Sequence, residues 1–367
     1  MQQSFVKFPK HDPTQFYQTL RTRVNDYFQE NHLSQNANFL MVLKTISMFA
    51  FYLVPYVGLL LGWLSGWSSL ILWVLMGLGL SGIGLAVMHD ANHGAYSKKK
   101  WVNNLLSHTM DLIGGNSFNW RIQHNVKHHT YTNIYELDED IDDKPILRLS
   151  PHGKYLKIHR YQHWYALFLY TLATVGWVID KDIIQLDKYN KAGLTEQNGG
   201  KPTAEWVKLI FWKVFFLGYL VAIPILVSPN PWWMILLGFL AMLMVSGFVI
   251  TVIFQLAHVV EGPAHFKPNP TGTMENTWAI HQLATTADFA KKNPLITWYV
   301  GGLNFQVEHH LFPNVCHVHY PKISEIVKKT AQEFHLPYHE YPTMTKALAS
   351  HLRVLKMFGS QQEPILS

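Results

Sequence analysis

The sequence predicts an all-α integral membrane protein with four transmembrane helices, arranged as two hairpins plus an interfacial helix. Two long apolar runs and a large histidine excess carry that reading. Of 367 residues, 49% are hydrophobic and 15% charged, and the 21 histidines nearly match the 24 aspartates and glutamates together. Ordinary globular chains carry roughly 25% charged residues, so part of this chain is suited to lipid.

The first 38 residues are polar and helix-like, with no apolar core of a cleavable signal, and form a cytoplasmic N-terminal segment. Thr45 to Met88 then contains no Asp, Glu, Lys, Arg or His, and neither does Val214 to Ala257; each run is 44 residues long. About 20 apolar residues cross a bilayer as helix, so each run makes two spans. Turn chemistry divides them, GWLSGW at 62–67 and SPNPWW at 228–233, giving spans near 42–63, 67–88, 207–228 and 232–257. Trp63, Trp67, Trp232 and Trp233 stand where an aromatic belt belongs. Residues 39–320 thus form one membrane domain, followed by a C-terminal segment at 321–367.

A hairpin returns to the side it left. The two turns lack Lys and Arg, whereas Arg21, Arg23, Lys44, Lys98, Lys99, Lys100, Arg121 and Lys127 flank the spans. The positive-inside rule places both termini and the middle segment in the cytoplasm. The net charge of +6 suits anionic lipid, and because the basic residues flank spans instead of forming one stripe, no nucleic-acid partner is expected. The apolar stretch Trp164 to Ile179 is short for a span and is expected to lie in the interface.

The histidines gather where the apolar runs stop. His89 and His93 form HDANH at the end of the first run, and His258 ends the second. His124, His128 and His129 form HNVKHH, His281 stands in WAIHQLATT, and His309 and His310 end QVEHH. A four-residue spacing puts two imidazoles on one helix face. Either ring alone reads as a hydrogen-bonded core histidine; three groups on one side of a membrane read as a helical cap holding metal. Nine candidate ligands exceed the three or four protein ligands of a zinc site, so more than one metal is implied. Imidazole donors alone leave iron, copper, nickel and zinc open.

Other chemistries lack their residues. Cys316 is the single cysteine, which excludes a disulfide framework and a cysteine-ligated cluster. No Glu-x-x-His pair, His-Glu-x-x-His or Gly-x-Ser-x-Gly motif occurs. ELDEDIDD at 136–143 reads first as a solvated loop and second as a source of Asp138 or Asp140 for the outer N–H of a ligating ring. Asp90 and Asn92 carry the same two readings. Gly77, Gly79, Gly82 and Gly84 serve close helix packing first and a groove for a slender apolar substrate second.

HDANH, HNVKHH and QVEHH on a four-span scaffold resemble the three histidine boxes of the membrane fatty-acid desaturases over roughly residues 40 to 320. Gln306, where many members have histidine, together with HHTYTNIYELDEDID and HQLATTADF, resembles the front-end branch and its bacterial relatives. The resemblance implies two iron ions, O2 as co-substrate, and His89, His93, His124, His128, His129, His309 and His310 as ligands, with His258 matching a further family histidine. His281 is expected to replace the imidazole missing at Gln306, and Gln306 to support the site by hydrogen bonding. An acyl-lipid or acyl-CoA substrate of the linoleoyl-CoA desaturase type is implied. Because the sequence has no haem-binding HPGG segment, a separate electron carrier, ferredoxin or cytochrome b5, is implied too. A related hydroxylase or alkane or carotenoid oxygenase is the near alternative. A metal transporter or sensor is the distant one, disfavoured because the two 44-residue runs contain no Asp, Glu, Lys, Arg or His.

Overall fold

The computed structural model describes residues 6–141, 146–267 and 272–360, so Asp142 and Asp143 of the acidic run lie outside the described residues. The chain divides into two compact units, one drawn from Ala37–Gln123 and Leu167–Val252, the other from Met1–Asn36, His124–Ala166 and Ile253–Ser367.

Four helices are long and apolar enough to cross a membrane: Phe39–Leu60, Gly66–Asn92, Pro202–Val227 and Trp232–His258. They match the four expected spans and make the chain an integral membrane protein. Their ends differ because a helix does not stop at its first charge. The third begins at Pro202, a residue preorganised for the first turn, and carries Glu205, Lys208 and Lys213 before its apolar part. The first is capped by Asn38, whose side chain accepts from the Met41 N–H.

Within the hairpin unit the two turns meet, Asn230 Oδ1 accepting from the Gly66 N–H at 2.7 Å. Trp67 and Trp233 contact edge to face, and all four belt tryptophans are exposed. A methyl group at Gly79 would stand 2.6 Å from the Tyr52 backbone nitrogen, and one at Gly77 2.7 Å from the Met242 carbonyl oxygen. Close helix packing therefore explains those two glycines.

The stretch expected in the interface is helical in pieces, Gln162–Thr171, Ala173–Gly176, a π-helical turn at Trp177–Lys181, and Asp182–Lys191. Within Trp164 to Ile179 the apolar side chains of Trp164, Phe168 and Ile179 are exposed, as an interfacial helix requires. Lys213 fastens its far end: Nζ donates to Asp182 Oδ2 at 2.6 Å and to the carbonyls of Gly114 and Trp177 at 2.7 and 2.6 Å. Those three acceptors use all three ammonium donors.

The larger of two hydrophobic cores described in the second unit carries the third histidine box. Phe16, Leu20, Val24 and Phe28, four residues apart on the helix Phe16–Glu30, pack with Ile323, Val327 and Ala331 of the helix Tyr320–Glu333. Phe305, Val307 and Leu311 join that core, so the third histidine box sits on it. Among the described residues, sequence periodicity did not suggest a parallel pair of strands, Ala287–Phe289 with His339–Tyr341, in which Asp288 faces Glu340. Three residues are too few to show an alternation of period two.

Candidate metal centre

In the hairpin unit, His89 and His93 close the second span directly after a π-helical turn at Ile83–Met88. Their ring centroids are 4.8 Å apart, and the Trp120 ring stands edge-on to both at 5.6 and 5.8 Å. Asp90 Oδ1 lies 3.9 Å from His89 Nδ1, beyond hydrogen-bond distance. Asn92 donates to the Met88 carbonyl and accepts from Arg121.

In the second unit, His124 and His128 lie in a π-helical stretch, Arg121–His128. Their rings are nearly parallel, 5.3 Å apart at 22°. Such helix widening often marks functional sites. His128, His258 and His310 bring their ring nitrogens within 4.8 Å of one another, all three buried. Beside them, His129 Nε2 lies 3.2 Å from His124 Nε2 and 2.9 Å from His309 Nε2. Six of the nine expected histidines thus meet within one unit.

The outer nitrogens explain the aim of these rings. His128 Nδ1 is 3.0 Å from Asp138 Oδ2, His310 Nδ1 is 2.7 Å from Gln282 Oε1, and His309 Nδ1 is 3.2 Å from the Tyr320 hydroxyl. His258 Nδ1 is 3.3 Å from the Thr285 carbonyl oxygen. A proton on each Nδ1 leaves the Nε2 lone pair for the centre, the arrangement that a metal-ligating histidine takes from its outer partner. His128 Nε2 and His258 Nε2 are buried without a hydrogen-bond partner among the described residues. Each such group costs about 1–3 kcal/mol when left unsatisfied. A bound cation would satisfy them, and the donor set suits imidazole-binding transition metals.

Asp138 is wholly buried and also accepts from the N–H groups of Asn133 and Asp140. Burial alone would raise its pKa, but His128 and those N–H groups hold it below the usual carboxylate range. At Asp138 the acidic run is therefore not a solvated loop: its carboxylate is a buried hydrogen-bond partner of the His128 ring.

His281 stands apart from the rings just described. Its Nε2 is 2.7 Å from the Thr132 carbonyl oxygen, and its ring packs on Phe8 and Phe266. Burial pushes its pKa down to about 4, so the ring is neutral. Gln306 is buried at the first position of the third-box helix, Gln306–Leu311. The glutamine that bonds a box imidazole is Gln282, one residue after His281. Sequence reasoning passed over Gln282, Tyr320 and Thr285; only the location of Gln282 in the HQLATT stretch pointed that way.

Comparison with known proteins agrees with this site. A family model described as "Fatty acid desaturase" matches residues 65–342. The "sn-1 linoleoyl-lipid 6-desaturase" of Arthrospira platensis is 38% identical over 95% of this chain and 94% of its own length. A protein of the same description from Synechocystis sp. is 36% identical over 94% of this chain and 95% of its own length. The "Acyl-lipid (8-3)-desaturase" of Physcomitrium patens is 35% identical over 94% of this chain and 72% of its own length. With three histidine boxes, four spans and a family match over most of its length, the chain belongs to the fatty acid desaturase family, and its activity is fatty acyl desaturation.

Proposed function

We propose that the protein introduces a double bond into an acyl chain esterified to a membrane lipid, using O2 and a di-iron centre. The observation that carries the reading is the set of buried imidazoles whose Nδ1 atoms are engaged outward. His89, His93, His124, His128, His129, His258, His309 and His310 are assigned as ligands. His281 is assigned to the backbone of Thr132, and Gln282 to the supporting role first expected of Gln306.

A saturated methylene offers neither an acidic proton nor a leaving group, so acid–base catalysis cannot remove its hydrogen. O2 is the oxidant and bound iron would activate it; the balance is one –CH2–CH2– unit, O2, two electrons and two protons giving –CH=CH– and two waters. The chain's own residues fix and shield the site. Asp138, Gln282 and Tyr320 hold three rings in one tautomer, and the Phe254 ring, 4.9 Å from His128 and 5.1 Å from His258, keeps water from that pair.

The acyl-lipid relatives support a lipid-linked substrate over a CoA thioester, and the two cyanobacterial relatives support a linoleoyl chain at the sn-1 position, desaturated at carbon 6. The basic flanks support a cytoplasmic histidine cap and cytoplasmic termini. The two electrons come from a separate carrier, a ferredoxin or a cytochrome b5.

The test is expression in a host that lacks polyunsaturated lipids, followed by mass spectrometry of its fatty acids by lipid class. A linoleoyl chain with a new double bond at carbon 6, lost in a His128→Ala control, is expected. A hydroxylated product without loss of two hydrogens would point to the oxygenase alternative and overturn desaturation.

A further inference from the structure

Behind the third histidine box lies a polar cluster for which the metal chemistry gives no use. Asp288 and Glu308 are both fully buried. The Tyr338 hydroxyl stands between them, 2.6 Å from Asp288 Oδ2 and 2.9 Å from Glu308 Oε1. Lys291 closes the cluster: Nζ lies 2.8 Å from the Tyr338 hydroxyl, 3.3 Å from Asp288 Oδ2 and 2.9 Å from Glu340 Oε2.

The second Asp288 oxygen does something different. Oδ1 accepts the backbone N–H of Val307 at 3.0 Å. Val307 is the second residue of the helix Gln306–Leu311, which carries His309 and His310. First-turn N–H groups have no partner inside their own helix, and the residue before this helix, Phe305, supplies no side-chain cap. Asp288 supplies that acceptor from a strand, opposite Glu340 in the register.

A six-residue helix gains little from its own hydrogen bonds, so its direction is set from outside. His309 and His310 follow Val307 by two and three residues, and their outer partners, Tyr320 and Gln282, belong to other helices. A small rotation of the third-box helix would break both bonds together. Two buried carboxyls are also a costly way to fill a core, since polar groups give up their hydration on burial. An apolar core would stabilise the fold at lower cost, which argues for a positional role.

We propose that Asp288, held by Tyr338 and Lys291, is a positioning residue for the metal centre: it fixes the rotation of the third-box helix and so the aim of His309 and His310. This rests on the reading of the histidines as metal ligands.

The test uses the full-length protein in detergent, reconstituted with iron and then challenged with a graded series of chelator. Thermal unfolding and the visible spectrum of the cobalt(II)-loaded protein are recorded alongside. Asp288→Ala is expected to weaken iron retention about 10-fold, the lower end for losing a residue that orients a ligand, and to alter the cobalt bands. Asp288→Asn keeps an acceptor for the Val307 N–H and is expected to recover much of the loss. A purely structural role would lower the unfolding temperature of the variants and leave retention in the folded fraction unchanged. Wild-type retention in folded Asp288→Ala, or Asp288→Asn no better than Asp288→Ala, overturns the proposal. Should Asp288→Ala not fold, Tyr338→Phe decides: weakened retention supports it and wild-type retention overturns it. A wild type that holds no iron through histidine overturns the metal-centre reading and this proposal with it, which separates the two failures.

Discussion

Asp138 Oδ2 lies 3.0 Å from His128 Nδ1, and both side chains are buried. One charged oxygen thereby fixes the tautomer of a central imidazole while also accepting from the Asn133 N–H. Asp138→Asn keeps an acceptor and removes the charge. Iron retention is expected to fall about 10- to 100-fold, with desaturase activity falling in parallel and the unfolding temperature of the iron-free protein changing little. Equal retention in Asp138→Asn and wild type would show that the carboxylate charge contributes nothing to the centre.

His281 separates an eight-histidine centre from a nine-histidine one. Because its Nε2 meets the Thr132 carbonyl oxygen at 2.7 Å, His281→Gln is expected to keep wild-type iron stoichiometry and to lose about 1 kcal/mol of stability, the worth of one buried hydrogen bond. His310→Ala, by contrast, is expected to lose bound iron. Metal analysis of both purified variants checks this, and loss of iron from His281→Gln would return that residue to the ligand set.

Much of this was legible in the sequence for a physical reason. Lipid excludes charge, so the spans announce themselves as charge-free runs, and ligand histidines at four-residue spacing announce a shared helix face. What was not legible depends on contacts between distant residues. Gln282 and Tyr320 reach rings 28 and 11 positions away, and nothing in their own neighbourhoods marks them as partners of histidine. Asp138 stood within an acidic run whose other members gave no reason to single it out. The π-helical turns before His89 and through His128 leave no mark in the apolar pattern. The expectations for Gln306 and His281 came from comparison with a motif position, which carries no information on a hydrogen-bond partner such as the Thr132 carbonyl for His281.

The glycines of the second span give a paired test. A methyl at Gly79 would meet the Tyr52 backbone at 2.6 Å, whereas at Gly84 the nearest atoms are Ile250 Cδ1 at 3.5 Å and Ile113 Cδ1 at 3.7 Å. Backbone cannot step aside as a side chain can. Gly79→Ala is therefore expected to cost about 1–3 kcal/mol, seen as reduced yield of monodisperse protein and a lower unfolding temperature. Gly84→Ala is expected to fold as wild type. Equal tolerance at the two sites would mean that the first hairpin packs less closely than its structure indicates.

Two further histidines give stability a pH dependence independent of metal. Burial pushes His265 down to about 3 and His351 down to about 4. His351 Nδ1 lies 2.7 Å from the Val259 carbonyl oxygen, and the His265 ring packs on Phe358. Above the ordinary histidine value of about 6.5 both rings are neutral whether the chain is folded or not, and their contribution is complete. Below it the unfolded chain takes up protons that the folded chain refuses, so stability falls with pH until the folded pKa is reached. The slope is at most about 1.4 kcal/mol per pH unit for each histidine. Iron-free wild type and His351→Gln, scanned for unfolding temperature from pH 7.5 to 4.5, isolate this contribution from acid release of metal. The variant is expected to be less stable at pH 7.5, having lost a well-placed ring, and to decline less steeply toward pH 4.5. Parallel curves for the two proteins would show that His351 takes up its proton without unfolding.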